Sequence, residues 1–513
     1  MNNSSRVIVN TGFLYINMLV TLIVQLVAVR LVLNALGQTD YGIYTLVAGV
    51  VAMFAFMNIA MAAATQRYLS YAIGQGQIQE IKNVFYYSII LHSIIGILVL
   101  IILEIGGTYY ILNWLKAPAD RIETAKTLLH CITASTLINI LTVPYEADLN
   151  ARENMGIIAL LNILDSLMKL GTAIFIGYIT SDRLLVYGIL TMTTMIITLL
   201  LKRQYCKKHY IEAHFKIRII QKNEWKKIKS MTFFALWNLI GSGCSIARYQ
   251  GTAMILNLFR GILINTAYGI SQQVNGLLNF FANTIVRAIR PQITKSEGSG
   301  HHQRMLQLSE TTCKITSLMV AILAIPLFIE MKFILQLWLH QQVSPECIMF
   351  CRAFIVIVFI NQLTIGLQIA LESVGRIRTL QTIVGSMHII SLPLGYICLK
   401  FGFPAYSIML CIIAEEIICI GLRTIIAHLQ AGLAGKKFIF TIVLPCIFLV
   451  VCVWGITETC HQILSHNLWL RLICTSILST VLLCSISYKM ILTTEERNAI
   501  DNFIFQLTKK IKR

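Results

Sequence analysis

Apolar residues run along this chain in stretches of about 20, the length at which a helix crosses ~30 Å of hydrocarbon, and polar residues gather in the short gaps between. Fourteen stretches are legible: 8–33, 41–66, 84–106, 124–147, 155–179, 184–201, 230–256, 267–289, 308–331, 346–371, 379–400, 403–425, 438–457 and 468–490. The pattern predicts an all-α polytopic membrane protein of about 14 transmembrane helices, because only helices and closed barrels satisfy the backbone inside lipid. Connections are short and leave no room for a soluble domain; the one sizeable loop is about 202–229.

The pattern also repeats. ILNWL ends at Leu115 and ILQLWL at Leu339, so Trp114 matches Trp338 at an offset of 224. TQRYLSYAIGQGQ, with Arg67, is echoed by AIRPQITKSEGSG, with Arg290; VLNALGQTDYGI, with Asn34, by ILNLFRGILINTAYGI, with Asn257; and NAREN, with Arg152, by VGRIR, with Arg376, at offsets of 223 or 224. Each match is weak alone, but four at nearly the same offset predict two related halves. Six helices per half is an even number, so both halves keep one orientation and are related by an axis along the membrane normal. The expected domains are an N-terminal six-helix lobe at 1–201, a basic linker at 202–229, a C-terminal six-helix lobe at 230–430, and two extra helices with a basic tail at 431–513. Transporters of this plan bind substrate between the lobes near the midplane and work by rocking the lobes.

Composition agrees: 57% of residues are hydrophobic, 13% are charged, and mean hydropathy is +0.73. The net charge of +19 is concentrated in the loop KRQYCKKHYIEAHFKIRIIQKNEWKKIK, with ten basic residues, and in the tail LTKKIKR. This bias predicts cytoplasmic N- and C-termini and an attraction to anionic lipid headgroups rather than to nucleic acid. The N-terminal apolar run is too long for a cleaved signal. The fourteen cysteines contain no CxxC, and Cys347 and Cys351 are read as packing residues rather than ligands. The adjacent His301 and His302 point to different sides of any helix and are read as a loop feature. No GxxxxGK[ST] loop occurs. No metal, cofactor or enzymatic chemistry is expected, and transport is left to a proton or sodium gradient or to the membrane potential.

Charges inside the apolar stretches are the candidates for function, because each costs roughly 2.5–3.5 kcal/mol to insert at mid-membrane. The basic ones singled out are Arg30, Lys169, Arg248 and Arg352; the acidic ones singled out are Asp165 and the pair Glu415 and Glu416. Asp165 and Lys169 are one helical turn apart and are read first as a neutralising pair, with Glu415 and Glu416 as a candidate charge pair or coupling site. Arg30 and Arg248 have no acid at helical spacing and predict a positively charged cavity between the lobes. Gln272, Asn275, Asn279 and Asn283, continued by Arg287 and Arg290, fall on one arc of a helix and predict a polar, substrate-binding wall; the alternative is hydrogen bonding between helices. On a straight helix Arg30 points away from the corresponding polar arc of the first helix.

RLVLNALGQTDYGIYTLV, followed by QRYLSYAIGQGQ, together with RAIRPQITKSEGSGHHQRM and QLWL, resembles the polysaccharide-export branch of the multidrug, oligosaccharidyl-lipid and polysaccharide exporter superfamily, over about residues 5–430. The resemblance implies two six-helix lobes in a V, and flipping of undecaprenyl-pyrophosphate-linked oligosaccharide, an O-antigen, capsule or exopolysaccharide unit, to the outer leaflet. It also implies a cationic cavity, carried over here onto Arg30 and Arg248, and association with a glycan polymerase and export machinery. Guanidinium groups suit a pyrophosphate and amides suit a glycan. The rival readings are a cation-coupled multidrug extruder of the same superfamily, which should show unpaired acids in the cavity, a membrane glycan polymerase or glycosyltransferase, which the short outer loops oppose, and a non-transporting scaffold.

Overall fold

The computed structural model describes residues 3–52, 55–113, 118–215, 218, 221–222, 224–339, 343–463, 468–494, 496–498 and 501. Among them no strand occurs, and nearly all are helical. The helices are α1 (Asn3–Ala52), α2 (Ala55–Gln75), α3 (Ile78–Asn113), α4 (Ile122–Ala151), α5 (Met155–Phe175), α6 (Arg183–His209), α7 (Trp225–Gly298), α8 (His302–Ile329), α9 (Met331–Leu339), α10 (Pro345–Gln362), α11 (Ile365–Val374), α12 (Ile377–Lys400), α13 (Ser407–Ala431), the short α14 (Gly435–Phe438), α15 (Leu444–Ile463) and α16 (Leu468–Ile486).

The two longest, α1 and α7, are each two arms joined at a glycine. Gly37 has φ 76° and ψ 173°, and Gly261 has φ 77° and ψ −173°. Only glycine takes that conformation without strain, so each break is written in the sequence by one residue. The two breaks lie 224 positions apart, as do the starts of α3 (Ile78) and α8 (His302) and of α6 (Arg183) and α13 (Ser407). The positive-φ turns at Gly76 and Gly300 repeat the same interval. The periodicity read from short sequence matches is therefore a periodicity of helices and turns. Trp114, half of one of those matches, lies outside the described residues; Trp338 is partly exposed near the end of α9.

Among the described residues, eleven helices are long and apolar enough to cross a membrane by themselves. The other three expected spans fall short for visible reasons. Stretch 41–66 runs through residues 53–54, outside the described set. The second arm of α7 carries the amide stripe with Arg287 and Arg290, and α13 carries Glu415, Glu416 and Arg423.

The chain divides into two compact units, Val9–Leu239 and, grouped with Met1–Ile8, Ile240–Arg513. The division lies within α7 rather than in the expected linker at 202–229, because helix absorbs both ends of that segment and its middle folds back onto α3. Tyr86 Oη donates to the Arg218 carbonyl (2.6 Å), Tyr87 Oη donates to Glu224 (2.7 Å), and Arg218 Nη1 reaches Glu224 Oε2 at 2.9 Å. In the first unit a core of Val32, Leu36, Val47, Leu128, Ala173 and Leu184 ties α1 to α4, α5 and α6. In the second unit α8 is the central helix, packed by α10, α11, α15 and α16. The appended pair α15–α16 is pinned to it at two levels. Arg471 makes bidentate bonds to the fully buried Glu330 (2.9 and 2.8 Å), with His461 at 3.4 Å, and Lys314 pairs with Glu496 at 2.8 Å.

A buried charge network in the C-terminal unit

Three helices of the second unit carry charges at mid-length, and all of those charges meet. Arg248 of α7, expected to be unpaired in a cavity, is 2% exposed and donates through Nη1 to Glu415 Oε2 and, at 2.9 Å, to Glu416 Oε1, both on α13. Its Nη2 reaches the Tyr249 hydroxyl at 3.4 Å, and its Nε is buried without a hydrogen bond. A cationic lining at this position is thereby replaced by an internal ion pair. The physical reason is tertiary: an acid 167 residues away in sequence is invisible to helical spacing, and bare guanidinium in hydrocarbon is far costlier than a paired one.

Glu415 is shared between helices. Its Oε1 accepts from His388 Nδ1 of α12 at 2.9 Å and from the Cys419 thiol at 3.2 Å, while its Oε2 faces Arg248. An ionised carboxylate can only accept, which assigns the Nδ1 proton to His388. Glu416, 0% exposed, is also approached by Arg423 (3.5 Å) and by the Asn361 amide of α10 (3.5 Å). Arg423 in turn donates to Thr364 at 3.0 Å. Two guanidinium groups and two carboxylates balance to zero with His388 neutral. Burying such a set costs several kcal/mol per ion before pairing returns it.

His388, Glu415 and Glu416 hold their ligand atoms within 4.8 Å of one another, a donor set suited to a cation. Arg248 Nη1 occupies the same carboxylate oxygens, so a metal ion there would face a fixed positive charge at contact distance.

Sequence reasoning flagged Arg248, Glu415 and Glu416 separately but passed over His388 and Arg423. Arg423 lies two turns from Glu415 and Glu416 on α13, a spacing that was available to be read; a single histidine in an apolar helix carries no such signal.

The other expected site residues are dispersed. Lys169 Nζ bonds Asp165 at 2.7 Å, and Asp165 also accepts from Thr198 of α6 at 3.0 Å. Arg30 is exposed on α1 and makes no ion pair among the described residues. The repeat places Arg30 opposite Met254 and Arg248 opposite Val24, so the two arginines share a helix but not a register. Along the amide stripe, Asn279 Nδ2 donates to the Asn275 carbonyl (3.0 Å) and side chain (2.8 Å), Gln272 is half-buried and Asn283 is exposed. The i, i+4 spacing that aligned the amides also lets two of them satisfy each other within one helix. Arg290 pairs with Glu372 at 3.4 Å, and Arg352 caps the end of α8 by donating to the Phe328 carbonyl at 2.9 Å.

Comparison with known proteins gives the fold a place. The MatE family model matches residues 14–164. A crystal structure of MATE in the straight conformation is 14% identical, with 85% of this chain and 98% of that chain covered and a TM-score of 0.72. The outward-facing conformation of a multidrug resistance MATE family transporter of the MOP superfamily gives 14%, 85%, 97% and 0.72. A MOP superfamily transporter from Pyrococcus furiosus, whose binding pocket is described as reversed in polarity, gives 13%, 85%, 97% and 0.69. No curated protein matches in sequence. The chain has the MATE fold, all-helical, in which two six-helix halves are followed here by α15 and α16.

Proposed function

We propose that this chain is a cation-coupled secondary exporter of amphipathic organic compounds, working by alternating access. The observation that carries the reading is the network of Arg248, His388, Glu415, Glu416 and Arg423, which joins α7, α12 and α13 at mid-length. Fold stability does not call for it, since apolar side chains of the same volume are as stable or more so in such places. A charge-balanced cluster next to a broken helix is a device for making helix packing depend on an ion. Multidrug transporters among the structural neighbours favour small organic substrates. Reconstituted protein should expel a lipophilic cationic dye from liposomes when a proton or sodium gradient is imposed; dye release no faster than from protein-free liposomes would refute the reading.

Flipping of lipid-linked oligosaccharide is the second reading, and Arg30 is the residue that supports it. An exposed guanidinium with no acid paired to it among the described residues suits an anionic headgroup, and on this reading a glycan polymerase and export machinery are the partners. Deletion in the native host would then leave lipid-linked repeat units on the cytoplasmic face.

A further inference from the structure

We infer that Asp148 and Glu212 form a proton-binding site in the first unit, with one proton shared between the two carboxyl groups. The site lies outside the charge network of the second unit, and the inference does not rest on what the protein carries. Asp148 sits in the last turn of α4 and is 0% exposed, and neither of its carboxylate oxygens meets a hydrogen-bond donor among the described residues. The charged groups that reach it are Glu212, 3% exposed on the turn Ile211–Ala213, and Arg152, which follows the end of α4. Arg152 is turned to Glu212, its Nε donating to Oε1 at 3.0 Å. The other titratable groups beside the site are Cys206 of α6 and Tyr210, and Lys202 beyond them is paired with Glu146 at 3.2 Å.

The internal repeat shows what this acid lacks. At the interval of 224 set by the glycine breaks and turns, Asp148 corresponds to Glu372 and Arg152 to Arg376. Glu372 is held by Arg290 at 3.4 Å and by the Gln368 amide at 3.1 Å. The position of Arg290 is taken in the first half by Gln66, and that of Gln368 by Pro144, which has no side-chain donor. The first half thus has the acid without its cation, and a second carboxylate beside it. Two ionised carboxylates against one guanidinium leave a buried charge of one unit, and a bare carboxylate there is far costlier than a neutral acid. Two carboxyl groups in one site relieve this by holding one proton between them. The proton comes from hydronium and leaves water behind; the new O–H bond is on Asp148, which donates it to Glu212, while Arg152 keeps Glu212 Oε1. The bridge ties the turn Ile211–Ala213 to α4. Loss of the proton sets the carboxylates against each other, so the attachment holds at low and neutral pH and weakens as pH rises.

The test reads the proton itself and needs no substrate. Infrared difference spectra of the full chain in nanodiscs, wild type against Asp148→Asn at about pH 7, should show one carboxylic-acid carbonyl band that shifts in D2O and is missing from the variant. Glu372→Gln should leave that band in place; its loss there would move the proton to the second unit and overturn the proposal. Asp148→Asn keeps the shape and puts an amide donor where the acid O–H was, so it should match the wild type in thermal stability at about pH 5 and exceed it at about pH 9. Spectra that coincide in the acid region for wild type and Asp148→Asn overturn the proposal, as does a stability difference that is the same at both pH values. Should Asp148→Asn fail to fold, Glu212→Gln, whose amide donates to an ionised Asp148, must lose the same band.

Discussion

Gly37 and Gly261, 224 positions apart, break the first helix of each half with nearly the same backbone angles, 76° and 173° against 77° and −173°. A side chain at either site would have open space, since nothing lies within 4 Å of an added Cβ, so any cost of substitution is purely conformational. Gly37→Ala and Gly261→Ala should each lose about 1–3 kcal/mol, the price of a non-glycine residue in that region. Thermal unfolding of the two variants in detergent checks this, and a variant as stable as wild type would show that the break can move to a neighbouring residue.

Arg248 supplies a sharper test, because truncation and full replacement act in opposite directions. Arg248→Ala leaves Glu415 and Glu416 buried and short of positive charge, and should destabilise by about 3–5 kcal/mol. Adding Glu415→Gln removes the stranded carboxylate, so the double variant should recover a large part of the loss. Urea or thermal unfolding of the four proteins in the cycle measures the coupling; additive losses would place the pair outside any network.

How much of this was legible beforehand follows from the range of each interaction. Helix positions and the repeat are local, fixed by hydropathy over about 20 residues and by glycines such as Gly37, Gly76, Gly261 and Gly300, so the sequence carried them plainly. The charged residues of the network were visible as charges, but their pairing was not, since Arg248 and Glu415 are joined only by tertiary packing. Spacing found Asp165 with Lys169 because that pair lies on one helix. It did not show that Asn275 and Asn279 bond to each other along the helix, a pairing that the same spacing permits.

The appended helices should depend on Glu330. Its carboxylate is fully buried and held by both Arg471 nitrogens, with His461 behind. Arg471→Ala strands that charge and should release α15–α16 from α8 before the rest of the unit unfolds, exposing new protease sites in 431–513 at lower temperature. Arg471→Lys keeps the charge but loses the bidentate fork and should fall between. Simultaneous cleavage of the whole unit in Arg471→Ala would show that the pair is not a separate layer.

The segment folded onto α3 carries its own pH dependence. The Arg218 guanidinium beside Glu224 holds its carboxyl down at about 2, from an ordinary value of 4.5. A depressed folded value means that the contact stabilises fully above about 4.5 and is lost as pH falls through about 2. Cleavage at Lys226 or Lys227 by an acid-tolerant protease should therefore stay slow at pH of about 4 and rise toward pH of about 2, while Arg218→Ala should already be cleaved quickly at the higher value. Equal rates for the two proteins at both values would detach Glu224 from the docking of this segment.

Arg30 decides between the two substrate classes. It is exposed, lies on the first arm of α1 seven residues before the break at Gly37, and makes no ion pair among the described residues. If the cargo is an anionic lipid-linked glycan, the guanidinium offers the pyrophosphate two parallel charge-assisted bonds, so Arg30→Lys should reduce flipping and Arg30→Ala should nearly abolish it. If the cargo is a cationic amphiphile, the same positive charge opposes binding, and Arg30→Ala should leave dye export unchanged or raise it. Both assays on one preparation separate the cases: a fluorescent lipid-linked oligosaccharide scored for leaflet exchange, and dye efflux from the same liposomes. Loss of flipping in Arg30→Ala with dye export absent throughout would favour the glycan reading. Retained or faster dye export in Arg30→Ala, with no flipping by wild type, would favour the extruder.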